Sequence, residues 1–177
     1  MSTHTYVSER KEVLKMILEP KNVERESTSD RSSRGKRKPT RAGAPGTLAL
    51  NGQRVLLIED MPDARTLFLR MITRAGAEIL AVDSVTNAWK ILEYFVPDVI
   101  ISDIGLPDED GISFMNEYRN QESGGLAHTP SIALTAFVQL KESALRAGFD
   151  IFLTKPTTSD ELIVAIIRAL SLEEPVH

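Results

Sequence analysis

From Asn51 onward, short runs of almost wholly apolar residues alternate five times with longer amphipathic stretches, and this alternation limits the folds open to the chain more than any other feature. Arg54 to Glu59 reads as a buried strand. A helix from Asp63 to Ala75 follows, with Pro62 near its first turn and Gly76 suited to its C-cap. Glu78 to Val82 is a second strand, and Ser84 can cap a helix running to about Phe95. Val99 to Ser102 is a third strand, followed by a helix from Gly111 to Asn120. Ser131 to Thr135 is a fourth strand, Leu140 to Ala147 a helix closed by Gly148, and Asp150 to Thr154 a fifth strand. Thr158 and Glu161 have capping-box spacing for a last helix ending near Leu170. Five strands, most of them apolar along their whole length and each followed by a helix, predict a five-stranded parallel sheet covered on both faces, a doubly wound α/β sandwich.

The first fifty residues have a different character. They hold eleven Lys/Arg against six Asp/Glu, whereas residues 51–177 hold ten against nineteen, so the overall charge of −4 conceals a basic head on an acidic body. Val13, Leu14, Ile17 and Leu18 would form an apolar stripe on a short helix over 8–19, a docking or dimerising element. The run from Glu24 to Gly46 has almost no large apolar residue with which to offset its ordering entropy, and reads as a disordered linker. The expected organisation is an extension over 1–50, a domain over 51–172 and a tail over 173–177. The chain has no cysteine, which excludes disulfides, thiolate metal sites and a cysteine nucleophile. Neither a signal-peptide core nor a membrane span is apparent, so a cytoplasmic protein is expected.

In a doubly wound sheet the ligand crevice lies beyond the C-terminal ends of the strands. Those ends carry Glu59 and Asp60 after the first strand, Asp103 after the third, Thr135 after the fourth, and Lys155 before Pro156 after the fifth. Two carboxylates at roughly 4 Å repel by about 4 kcal/mol at an effective dielectric near 20, so three of them together require a cation. Mg²⁺ suits oxygen donors that leave room for water and phosphate. Lys155 would add a fixed ammonium and Thr135 a neutral donor. A carboxylate, a metal, an ammonium and a hydroxyl around one space meet the needs of in-line phosphoryl transfer, with Asp103 as nucleophile.

Four segments carry a family resemblance: Val55 to Asp60 (VLLIED), Ile101 to Gly111 (ISDIGLPDEDG), Ala133 to Ala136 (ALTA) and Leu153 to Pro156 (LTKP). In this order and spacing they resemble the receiver domain of two-component response regulators, a flavodoxin-like (βα)5 fold, over about 120 of the 177 residues. The resemblance implies the strand order 2-1-3-4-5. It implies that Glu59 and Asp60 form the acidic pair, Asp60 being the more direct Mg²⁺ ligand, and that Asp103 is both ligand and phosphoacceptor. The backbone carbonyl of Gly105 would be a further ligand. Thr135 would be the switch hydroxyl and Phe152 the aromatic that follows it. Lys155 would bind phosphate, and its bond to Pro156 would be cis.

The implied chemistry is transfer of a phosphoryl group from a phosphohistidine, on a sensor histidine kinase or a histidine phosphotransfer protein, to Asp103. The added charge of about −2 would draw Thr135 inward and reshape the surface around the fourth helix and fifth strand, giving output through protein contact as a monomer or a phosphorylation-dependent dimer. The chain would be a signalling module and not an enzyme. The family often places polar side chains two residues beyond the acceptor and two beyond the switch threonine. Gly105 and Phe137 stand there instead, so the attacking water has less help and slow dephosphorylation is expected.

Other readings separate on particular residues. A haloacid-dehalogenase-type phosphatase needs an acid two residues after its nucleophile, where this chain has Gly105. Neither a G-x-G-x-x-G nor a P-loop follows a strand, which argues against a nucleotide-binding module. Only seven residues follow Leu170, so no DNA-binding output domain is expected. The basic stretch Arg31 to Arg41 lacks interleaved aromatics and reads as a solvated linker, with nucleic acid not an expected partner. A free-standing regulator is favoured over a receiver derived from a hybrid histidine kinase by Met1 and the early stop. Trp89 is expected in packing, Asp108 and Asp110 as loop and helix-start charges, and His4, His128 and His177 at the surface.

Overall fold

A computed structural model describes residues 49–122 and 128–172 of the chain. The expected helix over 8–19, the linker over 24–46, the basic stretch Arg31 to Arg41, the tail over 173–177, His4 and His177 all lie outside the described residues. The five strands are β1 (Arg54–Ile58), β2 (Glu78–Val82), β3 (Val99–Ser102), β4 (Ser131–Thr135) and β5 (Ile151–Thr154). The helices between and after them are α1 (Pro62–Arg74), α2 (Val85–Leu92), α3 (Gly111–Glu122), α4 (Lys141–Arg146, preceded by a 3-10 turn at Val138–Leu140) and α5 (Ser159–Leu170).

All strand pairings are parallel and the order is β2-β1-β3-β4-β5, so the chain winds outward from the centre in both directions, as the alternation of elements requires. Val55 and Leu57, Val99 and Ile101, and Ile132 and Leu134 point to one face, where they pack with Phe68 and Ile72 of α1 and with Leu162, Ala165, Ile166 and Ala169 of α5. The alternate residues Leu56, Ile58 and Ile100 are also fully buried and face the other layer. There Trp89 of α2 meets Phe114 of α3 edge to face, with ring centres 5.1 Å apart, and so packs as expected.

Several element ends differ from the sequence reading. Helix α2 stops at Leu92, before the expected end near Phe95: the Tyr94 amide tightens onto the Ile91 carbonyl three residues back, and Val96 precedes Pro97, a position that disfavours helical backbone. Thr158 and Glu161 form the reciprocal capping box at the start of α5. At the sheet end away from the candidate site, Arg119 of α3 donates to the carbonyls of Gly148 and Thr129, to Ser131 Oγ and to Asp150 Oδ2. Asp150 also accepts from the Ser131 amide and lies 2.9 Å from the exposed His128. This network fixes the starts of β4 and β5 and was not legible as a motif. No described helix is long and apolar enough to cross a membrane.

Candidate functional site

The parallel register delivers the polar residues to one edge. Ile58 pairs with Val82 and Ser102, and the next residues continue the ladder: the Glu59 amide donates to Val82 O and the Asp103 amide to Ile58 O. On the other side Thr135 pairs with Thr154, and the Lys155 amide donates to Thr135 O. Glu59, Asp103, Thr135 and Lys155 therefore occupy successive strand ends on one rim, held there by backbone bonds.

Glu59, Asp60 and Asp103 can each offer a carboxylate oxygen within 4.8 Å of the others. Lys155 Nζ lies 2.5 Å from both Glu59 Oε2 and Asp103 Oδ2, joining residues from opposite sides of the sheet. Glu59 is completely buried and Asp103 nearly so. Burial pushes the Glu59 carboxyl above the usual carboxylate range, although the Lys155 hydrogen bond and charge pull the other way. Burial also disfavours the Lys155 ammonium, but the hydrogen bonds and charges of Asp103 and Glu59 outweigh it and hold the group above its ordinary value. The lysine is thus a permanent cation here. Three carboxylates around one ammonium leave surplus negative charge on hard oxygen donors, and this donor set fits a divalent cation of the Mg²⁺ type.

Three backbone features shape the rim. Asp103 Oδ1 accepts from the Gly105 amide at 3.0 Å, folding the loop back over its own acid. At Gly111, the first residue of α3, a Cβ would stand 2.3 Å from the Asp103 carbonyl oxygen and 3.0 Å from Ile104 Cα, so the helix start presses on the Asp103–Ile104 backbone and only glycine fits. The Lys155–Pro156 peptide is cis.

Thr135 is fully buried, and its Oγ1 accepts from the Phe137 amide at 3.3 Å. Ile132 and Leu134 face the α1–α5 layer, as do Ile151 and Leu153, which sets Thr135 and Phe152 on the opposite face of adjacent strands. Phe137 is half exposed, and its ring lies over Gly105.

Two contributors were not singled out in the sequence for the parts they play. Asp108, expected as a loop charge, instead reaches across to α2: it accepts from the Val85 and Thr86 amides and from Thr86 Oγ1, at 3.0 to 3.3 Å. Asp110 caps its own helix, accepting from Ile112 and Ser113 as its place before α3 suggests. Arg65, on the first turns of α1, donates from Nη1 to the carbonyls of Glu59 and Asp60. The only sequence signal for it is a cation one helical turn into α1 just after the acidic pair.

Comparison with known proteins agrees with this geometry. The family model "Response regulator receiver domain" matches residues 55–167. An uncharacterized 14.6 kDa protein of Leptolyngbya boryana is 34% identical over 111 residues, covering 62% of this chain and 83% of that protein. Hybrid signal transduction histidine kinase D of Dictyostelium discoideum is 35% identical over 129 residues, covering 68% of this chain but only 8% of the kinase. Among solved structures, the receiver domain of sensor histidine kinase PA1611 from Pseudomonas aeruginosa superposes with a TM-score of 0.61 at 34% identity, over 68% of this chain and 98% of that one. That receiver was solved with a magnesium ion coordinated in its active-site cleft. On the family match, the shared fold and the rim of strand-end residues together, the chain belongs to the response regulator receiver domain family.

Proposed function

We propose that this chain is a phosphoacceptor: Asp103 takes a phosphoryl group from a phosphohistidine of a sensor histidine kinase or a histidine phosphotransfer protein. An Asp103 carboxylate oxygen attacks phosphorus, the phosphorus–nitrogen bond to imidazole breaks, and the imidazole leaves with the bonding pair and takes up a proton. The observation that carries this reading is the cluster of three carboxylates at the sheet edge, two of which, Glu59 and Asp103, are bridged by the Lys155 ammonium.

Glu59, Asp60, Asp103 and the Gly105 carbonyl would hold Mg²⁺, which when bound neutralises charge on the transferring phosphoryl oxygens. Lys155 supplies a second cation that stays protonated, pairing with the carboxylates before transfer and with a phosphoryl oxygen afterwards. Thr135 offers a hydroxyl donor from the neighbouring strand end. Its movement toward the new charge, followed by Phe152 on the same face, would change the α4–β5 surface that a protein target reads. The reading places the chain in the cytoplasm, as a signalling module whose output is protein contact, either free-standing or as the receiver of a hybrid kinase. The likeness to the Dictyostelium hybrid kinase and the PA1611 receiver supports the second arrangement.

Incubation with acetyl phosphate and Mg²⁺, followed by intact-mass measurement, should add one phosphoryl group to wild type and none to Asp103→Asn. Equal labelling of the two proteins, or labelling that survives chelation of Mg²⁺, would overturn the reading.

A further inference from the structure

We infer that Arg65 is a positioning residue for the acidic pair, its guanidinium gripping two consecutive backbone carbonyls so that the Glu59 and Asp60 carboxylates are held toward the Asp103 side of the rim. The inference rests on the proposed Mg²⁺-dependent function and deepens it.

The turn from Glu59 to Met61 leaves β1 and enters α1 within three residues. Its bonds are almost fully specified. The Glu59 amide is fixed to Val82 O, and Glu59 Oε1 accepts from the Met61 amide at 3.3 Å. The two carbonyls left over, Glu59 O and Asp60 O, accept from Arg65 Nη1 at 2.7 and 3.0 Å. The Arg65 amide in turn donates to Met61 O at 2.9 Å, so the residue that grips the turn is itself locked into the first turn of α1. Met61, the N-cap of that helix, makes no side-chain capping bond, so the backbone there has no other clamp of that kind.

Each carbonyl that Arg65 holds orients the peptide plane beside one acid. Freed from it, the carboxylates of Glu59 and Asp60, which repel each other and Asp103, can relieve that repulsion by rotating the turn outward. Arg65 acts through the backbone and adds positive charge beside the cluster. These two effects have opposite consequences for cation binding, and that opposition makes the role testable. A nearby guanidinium acting only as a charge weakens cation binding, so its removal tightens it. A guanidinium that holds the ligands in place strengthens binding, and its removal weakens it, as loss of an outer-shell partner typically does by about 10–100-fold.

The test is a Mg²⁺ titration of the full chain, read from amide NMR shifts at Met61 and Gly105, on wild type, Arg65→Met, Arg65→Lys and Ile72→Val. Ile72 is a fully buried α1 core residue away from the rim, so Ile72→Val controls for lost stability; all four are titrated at a temperature where melting curves show each folded. Arg65→Met should bind Mg²⁺ about tenfold or more weakly, Arg65→Lys should lie between it and wild type, and Ile72→Val should match wild type. Arg65→Met binding as tightly as wild type or more so would overturn the positioning role while leaving the proposed function standing. Failure of wild type itself to bind Mg²⁺ would overturn both.

Discussion

The Phe137 ring lies over Gly105 so closely that a methyl group at position 105 would meet its Cε2 at 3.3 Å, and that same methyl would stand 3.9 Å from Asp103 Oδ1. A glycine two residues beyond the candidate acceptor and an aromatic two beyond Thr135 are therefore a matched pair: the ring uses the space that a side chain at 105 would fill. An apolar ring beside the carboxylate limits the approach of water and offers it no hydrogen bond. The aspartyl phosphate should decay over minutes or longer, and Phe137→Ala should shorten its life several-fold. Loss of label from purified phosphoprotein at neutral pH checks this; wild type emptied within seconds would refute it.

Gly111 links the fold to the chemistry. Because a Cβ there would lie 2.3 Å from the Asp103 carbonyl oxygen, Gly111→Ala must displace either the start of α3 or the Asp103 backbone. The expected cost is about 2 kcal/mol of stability, typical of overpacking. Phosphorylation from acetyl phosphate should slow as well, because misplacement of a reacting group by a fraction of an ångström is costly. Chemical denaturation and mass-based labelling rates measure the two effects separately.

Asp60 adds a third carboxylate where one ammonium already serves two. Asp60→Asn should stabilise the metal-free protein by about 1 kcal/mol through reduced repulsion while weakening Mg²⁺ binding. In wild type, saturating Mg²⁺ should raise the melting temperature by mass action, and that increment should shrink in Asp60→Asn. Thermal melts with and without Mg²⁺ decide it.

The pH dependence of stability follows from the helix caps. Burial opposes ionisation of Asp108 and Asp110, but the amides of Thr86, Val85, Ser113 and Ile112 outweigh it and hold both carboxyls below the ordinary value of 3.8. Glu161 is likewise lowered from 4.5 by the Thr158 amide and hydroxyl. A carboxyl whose folded value lies below its unfolded one contributes stability at pH above the unfolded value and loses it as pH falls through the folded one. Stability from these caps should therefore be complete above about pH 4.5 and decline as pH falls below 4.5 for Glu161 and below 3.8 for Asp108 and Asp110. Glu59 works in the opposite sense: its raised value means that ionising it costs stability as pH rises through 4.5. Asp108→Ala should cost about 1 kcal/mol at neutral pH, as loss of a cap does, and flatten the acid limb; denaturation midpoints from pH 3 to 7 test this, together with faster hydrogen exchange at Val85 and Thr86.

Much of this protein could be read without coordinates because local rules sufficed. The central strands β1, β3 and β4 are buried almost along their whole length, which requires cover on both faces, and each helix carries local start or stop signals such as Ser84 and the Thr158–Glu161 box. Once the strands are parallel, the residues after them must share an edge, so Glu59, Asp103, Thr135 and Lys155 could be grouped by counting positions. Tertiary structure alone decided the rest. Asp108 caps α2, a helix whose first residues it follows by more than twenty positions, and Arg119 binds carbonyls and an acid from two later loops. Arg65 turns toward the acidic turn and Phe137 toward Gly105. Sequence periodicity records which side of an element meets the core, because burial of apolar area rewards any residue of the right type. The partner of a polar group or an exposed ring depends on distances and angles between elements, which exist only after the sheet has been assembled and its helices packed.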